Sequence, residues 1–327
     1  MEPVIEADVV LQNKGVLPQI KDKAIKETKL RDELRGLLVP VGKHEPRVIS
    51  EEIKDNIEKF AVPENGIDPK IQSIRNDVVQ YFRHQASGEG LIEEGQFELK
   101  VLFVRKGFFP DEDTVKGYYF PLERMVVVLY PENLDQFGIF QVSTVLFHEC
   151  RHAVSRQRGV IRIKPDQTAN STDELEYDSI DVLAGMDKMS MSSSKDLLEE
   201  IYTEGYTATN IKNIDNPFVA ESIKFVTANA IKQGLDPKLI TTFLRVDDSA
   251  VFKTTEYTHI LQIFFLLRDE IPNLLEIFAD VRIGKTGARN KLAKEIILHF
   301  NKDILAMLLE SGTQEASLLK TIIAAKR

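Results

Sequence analysis

The chain has no tryptophan and a single cysteine, Cys150, among its 327 residues. One thiol cannot close a disulfide within the chain, so a hydrophobic core has to carry the fold, and a reducing, cytoplasmic setting is expected. Positive charge is also scarce: 42 Lys and Arg face 51 Asp and Glu, leaving a net charge of -9. Binding to nucleic acid draws on a positive surface that displaces counterions from phosphate, so a general nucleic-acid partner is excluded. Long apolar runs are missing too. The longest, around residues 263–267, falls far short of the roughly 20 residues that span a bilayer, so no membrane partner is expected. Residues 1–8 are acidic and place no basic stretch ahead of an apolar one, so no signal peptide is expected.

What is present reads as an α+β protein. The apolar fraction of 43% is ordinary for a globular chain, and the length allows two domains or one large domain with lobes. Residues 1–94 read as a helical N-terminal region. One helix is expected over 20–38, a short one carries Ile53, Ile57 and Phe60, and a third starts at Asp68-Pro69 and buries Ile71, Ile74, Val78 and Phe82. The texture changes near Gly95. Phe97, Leu99, Val101 and Phe103 alternate as a strand, and Gly117–Phe120 with Met125–Tyr130 reads as a hairpin. A small antiparallel or mixed sheet is therefore expected over 95–210. Residues 160–196 read as a polar excursion with one short helix around 173–186, followed by a helix from Lys195. Residues 211–327 read as an all-helical C-terminal subdomain, with starts at Asn216-Pro217 and Asp236-Pro237 and a stop at Gly234.

The stretch that organises the chain is His148-Glu149-Cys150-Arg151-His152. On a helix, residues four apart share a face, so His148 and His152 can aim two imidazoles at one point. That suits two of the three protein ligands of a zinc ion, with Glu149 as general base toward a water at the open position. Val142, Val145, Leu146, Cys150 and Ala153 form the apolar stripe, with Glu149 inside it and the two histidines at its edge. A carboxylate aimed at a core needs a partner. The bland alternative is an amphipathic helix with two surface histidines and Glu149 neutralised by Arg151 or another cation.

A third ligand is needed, and a carboxylate is the usual choice. Glu174 and Glu176 lie in one acidic stretch; Glu199, Glu200 and Glu204 lie on the helix after Lys195. A strand hairpin, an apolar H-E-x-x-H helix and a later Glu204-Gly205-Tyr206-Thr207-Ala208 together resemble the gluzincin clan of zinc metallopeptidases, especially its small E-G-x-x-A versions. The resemblance covers roughly residues 97–210. It implies a zincin-like core, Zn2+ as cofactor, Glu204 as third metal ligand and a peptide or protein as substrate. It also implies that Gly205 lets its helix pack close to the active helix. The thermolysin-like pattern, a Glu about twenty residues on and an Asp four later, is matched by Glu174 and Asp178 and keeps Glu174 open. A carboxylate is further expected behind a ligating histidine. Position 208, four after Glu204, is Ala, which leaves Asp178, Asp181 or a backbone carbonyl for that role.

The expected activity is peptide hydrolysis with Glu149 catalytic and His148, His152 and Glu204 on zinc. Tyr257 and His259 are candidates to stabilise the oxyanion, and Met125–Tyr130 is a candidate edge for an extended peptide. The alternative is a weak or inactive metallopeptidase-like scaffold that binds or regulates proteins. A phosphate-binding loop at Gly284-Lys285-Thr286 is rejected, because the position five before Gly284 is Ala279. Substrate specificity and oligomeric state are not written in the sequence.

Overall fold

A computed structural model describes residues 6–8, 51–89, 99–109, 115–120, 125–154, 157–163, 177–184, 197–241, 244–246, 249–251, 256–282, 285, 287–309 and 313–326. The helix expected over 20–38, the turn at 121–124 and the positions of Glu174 and Glu176 lie outside the described residues.

Strand β1 (Glu6–Asp8) is followed by helix α1 (Glu51–Phe60) and helix α2 (Pro69–Gly88). The start of α2 follows from its sequence. The Asp68 carboxylate accepts the Lys70 N–H at 2.8 Å, and Pro69 opens the helix, where its missing N–H costs nothing. Ile71, Ile74, Val78 and Phe82 are buried, as their spacing predicts.

Strands β2 (Lys100–Val104), β3 (Gly117–Phe120) and β4 (Met125–Leu129) form one sheet in the order β2-β4-β3. β2 runs parallel to β4 and β3 antiparallel to it, so the expected hairpin is present and the sheet is mixed. Met125, Val126, Val127 and Val128 are all buried. An unbroken apolar run of this kind marks a strand covered on both faces. This corrects one expectation: β4 has partners on both sides and offers no edge, and the outer strands are β2 and β3.

Helix α3 (Gln136–Ala153) carries the motif. Asp135 caps it, its carboxylate accepting the Gly138 N–H at 2.9 Å. α3 packs on α2, β3 and β4 and is buried on nearly every side. Strands β5 (Gln157–Ile163) and β6 (Tyr177–Ala184) then pair antiparallel, with β1 parallel to β5. The short helix expected around 173–186 is therefore replaced by a strand. Ile180 and Val182 alternate with Ser179 and Asp181, the period of a strand rather than a helix, and β5 supplies its ladder.

Helix α4 (Leu197–Asn210) packs on α3, as does α5 (Pro217–Lys232). Asn216 caps α5 through the Phe218 and Val219 N–H groups. Gly234, at φ 73°, closes it, with Leu235 N–H bonding Ala230 O and Gly234 N–H bonding Ile231 O, both at 3.0 Å. A two-stranded hairpin, β7 (Leu244–Val246) and β8 (Ser249–Val251), interrupts what was expected to be all helix. Helices α6 (Glu256–Glu270), α7 (Leu274–Arg282), α8 (Ala288–His299), α9 (Lys302–Leu309) and α10 (Glu315–Ala325) follow.

The fold is thus mostly helical with small mixed sheets, an α+β arrangement. One apolar cluster runs from Ile67 to Ile322 and draws on the N-terminal, central and C-terminal regions. Gly205 serves this core at a different place from the one expected. A Cβ on it would collide with the Phe264 ring, so its close approach is between α4 and α6 and not between α4 and α3. Among the described residues no helix is long and apolar enough to cross a membrane.

Candidate metal centre

The helical period of α3 puts His148 and His152 one turn apart on the side that faces α4. Their Nε2 atoms are 3.1 Å apart. Glu200 of α4 faces both, with Oε2 3.5 Å from His148 Nε2 and Oε1 3.4 Å from His152 Nε2. Zinc bonds nitrogen and carboxylate oxygen at about 2.0–2.2 Å, and a tetrahedron of that size has edges of about 3.3–3.6 Å. The two Glu200 distances end on different carboxylate oxygens; with one donor atom taken from each residue, the three lie within 4.8 Å of one another. This group can hold a metal ion. His148 is buried, whereas His152 and Glu200 are half-buried.

The outer nitrogens of both rings have carboxylates of their own. Glu204 Oε2 lies 2.8 Å from His148 Nδ1, and Glu199 Oε1 lies 3.3 Å from His152 Nδ1. A carboxylate on Nδ1 fixes the proton there and turns the Nε2 lone pair toward the convergence point. Both carboxylates are buried and held in turn. Thr203 Oγ1 donates to Glu199 at 3.3 Å, and Thr241 Oγ1 donates to Glu204. Among the expected site residues the structure brings together His148, His152, Glu149 and Glu204, but Glu204 stands behind an imidazole and Glu200 stands in front. The backing carboxylates come from α4 itself. Asp178 and Asp181, also considered for that role, lie on β6.

Burial works against charge on the imidazoles, yet the carboxylates outweigh it. Glu200 and Glu204 together raise His148 to about 10, and Glu199 and Glu200 raise His152 well above its ordinary value. The Glu200 carboxyl is held well below its ordinary range, because its two histidine partners overcome its burial. Glu149 differs. Burial pushes its carboxyl up, and the neighbouring histidines and a hydrogen bond from the Tyr119 backbone only partly oppose this. β3 reaches Glu149 because position 117 is glycine. A Cβ there would collide with Val145 and come within 3.0 Å of Glu149 Cγ.

Arg151 does not neutralise Glu149. It is buried on another side of α3, its guanidinium 3.9 Å from the Tyr206 ring centroid, donating to Gln85 Oε1 at 3.0 Å and to the Tyr202 hydroxyl. Burial and the nearby Arg282 pull its pKa down to about 9. Arg282 Nη1 donates to Val154 O at 2.5 Å at the C-terminus of α3, and Nη2 pairs with Glu89. Burial also pushes the Cys150 thiol far up, which leaves it an inert packing group.

Of the two oxyanion candidates, Tyr257 stacks edge-on against His148, with ring centroids 6.2 Å apart. His259 lies two residues further along α6 and is turned to another face of that helix. Comparisons with family models, with curated proteins and with solved structures find no match.

Proposed function

We propose that this protein is a zinc-dependent peptide hydrolase whose metal is held by His148, His152 and Glu200. The observation that carries the reading is the gathering of two imidazoles and a carboxylate whose donor atoms lie within 4.8 Å of one another, with Glu149 next to His148 in the chain. Two imidazoles and a carboxylate are the donor set of a catalytic zinc site that keeps one position for water or substrate. Zinc bound there supplies Lewis acidity and makes a water acidic enough to ionise near neutral pH.

The chain's own residues do the rest. Glu204 and Glu199 keep the protons of His148 and His152 on Nδ1. Glu149, with its proton affinity raised by burial, takes the proton of the attacking water and hands it to the leaving amine. The Tyr119 N–H fixes the direction of that carboxylate. β3, the outer strand over Glu149, offers an extended substrate a line to follow. Tyr257, whose ring meets His148 edge-on, is the candidate to stabilise an oxyanion. A zincin-like core is part of this reading. It requires Glu200 and Glu204, one helical turn apart, to share the work of ligand and ligand support.

The experiment is zinc content by elemental analysis, with cleavage of a mixed peptide library, on the wild type beside Glu200→Ala, Glu204→Ala and Glu149→Gln. One zinc per chain in the wild type and in Glu149→Gln, with cleavage in the wild type alone, is expected. Wild-type protein that takes up no zinc when zinc is supplied would end the proposal. Zinc retained by Glu200→Ala and lost from Glu204→Ala would return the third ligand to Glu204.

A further inference from the structure

The candidate centre has two backing carboxylates, and they are held in different ways. Glu199 is met by Thr203 of its own helix, one turn on, with Oγ1 to Oε1 at 3.3 Å. Residues four apart meet wherever a helix forms, so that contact does not depend on how α4 sits on its neighbours. Glu204 is met from outside the helix. Thr241, 37 residues further along the chain, donates its hydroxyl to Glu204 Oε1.

The intervening sequence is built to bring Thr241 there. Gly234 turns the chain out of α5. The Asp236 carboxylate then accepts the Lys238 N–H at 3.0 Å and, with Pro237, opens a short helical turn, Pro237–Leu239. Ile240 N–H closes that turn on Pro237 O at 3.3 Å, and Thr241 follows. The turn packs on α5 and α6, so the hydroxyl comes to α4 from a fixed base. Thr241 is 4% exposed and Glu204 2%, which keeps bulk water from standing in for the hydroxyl.

The other oxygen of Glu204 shows why this hold matters. Oε2 lies 2.8 Å from His148 Nδ1. With that bond alone the carboxylate can turn about its terminal torsion, which is soft. A second bond on Oε1 fixes its plane, and with it the direction in which it holds the imidazole. Without the hydroxyl a buried Oε1 loses its donor, and the carboxylate turns to recover one. We propose that Thr241 is a positioning residue of the centre: it locks the Glu204 carboxylate onto His148 Nδ1 and so aims Nε2 of that ring at the point it shares with His152 and Glu200. This deepens the reading of the centre as a metal site and rests on it. The hydroxyl acts through Glu204 and not on the metal.

The test is the zinc affinity of the full chain, read by competition with a chelating dye. Thr241→Val exchanges the hydroxyl for a methyl of like size. It should weaken zinc binding about three- to tenfold, less than Glu204→Ala does, because Thr241 stands one contact further from the ion. Thr241→Ser keeps the hydroxyl and should bind within about twofold of the wild type, whereas Thr241→Ala should show the full loss. Serine and alanine both lack the threonine methyl, so this pair separates the hydroxyl from packing even if the fold rejects valine. In a Glu204→Ala background, Thr241→Val should change the affinity by less than about twofold, since no carboxylate is left to hold. A general loosening of the fold would lower the affinity by the same factor in both backgrounds. The inference falls if Thr241→Val and Thr241→Ala bind zinc as the wild type does, if Thr241→Ser is as weak as Thr241→Ala, or if the loss persists without Glu204. Wild-type protein that takes up no zinc would end the reading of the centre and this inference with it, a result distinct from wild-type binding that Thr241 leaves untouched.

Discussion

Two charge clusters, each partly buried, lie on different sides of helix α3, and they are built with opposite balance. On the α4 side, the carboxylates of Glu149, Glu199, Glu200 and Glu204 gather around two imidazoles. On the other side, the guanidiniums of Arg151 and Arg282 gather around Glu89. The basic cluster is structural in character. Its cations sit on aromatic faces and on the carbonyl end of the helix, where the helix dipole welcomes positive charge. The acidic cluster has more negative charge than its partners neutralise, and its donors leave one common point between them. A divalent ion there trades its two charges for the two protons that the imidazoles carry without it, so the charge of the cluster is the same in both states.

The contrast can be broken in order of expected effect. Glu149→Gln keeps the shape of the acidic cluster and removes its base. Peptide cleavage should fall about 10²- to 10⁴-fold while zinc content stays at the wild-type level. Equal cleavage rates in the two proteins would remove Glu149 from the mechanism. Arg282→Ala strikes the basic cluster, leaving the Val154 carbonyl without its buried donor and Glu89 with only the more distant Arg151. Urea unfolding should show a loss of about 3–5 kcal/mol, whether zinc is present or not. A loss under about 1 kcal/mol would mean that the cluster is not structural.

Glu204→Ala leaves the three inward donors in place and frees the His148 ring. Zinc affinity by competition with a chelating dye should weaken about 10- to 100-fold, and Glu200→Ala should weaken it further. The reverse order would exchange the roles of the two glutamates. The smallest signal is a count of protons. Below pH 6.5, its ordinary value, the raised His148 contributes its full stability to the metal-free chain, and that contribution fades as pH climbs through about 10. Near pH 7 both imidazoles are therefore charged without metal, and zinc uptake should release about two protons per ion. Calorimetry in buffers of different ionisation enthalpy gives the number, and a release near zero would contradict the carboxylate-held imidazoles.

Much of this was legible in the sequence because it rests on local periodicity. Four-residue spacing within an apolar run fixes His148 and His152 on one face. Asp68-Pro69 and Asn216-Pro217 mark helix starts through their capping chemistry, and the hairpin follows from Gly117 and the valine run. The choice between Glu200 and Glu204 was not legible. They differ by one turn, and which of them meets the Nε2 atoms depends on how far α4 has slid along α3. That offset is set by distant residues, Gly205 against Phe264 and Arg151 against Tyr202 and Tyr206, whose pairing no short motif encodes. β6 was missed for a related reason. Its alternation was present, but Asp178 and Asp181 made the stretch look like a solvated excursion, and the partner that completes the ladder lies across a long connection.

The pairing of Arg282 with the end of α3, together with the packing of Phe264 on α4, has a temporal side. The motif helix is complete by residue 153, yet the groups that lock it and its partner helix come from positions 264 and 282. During synthesis the ribosome exposes the histidines long before the residues that hold them in register. A nascent chain therefore carries the donors without the assembled centre. The grouping of His148, His152 and Glu200 is complete only when residues 264–282 have emerged and folded back.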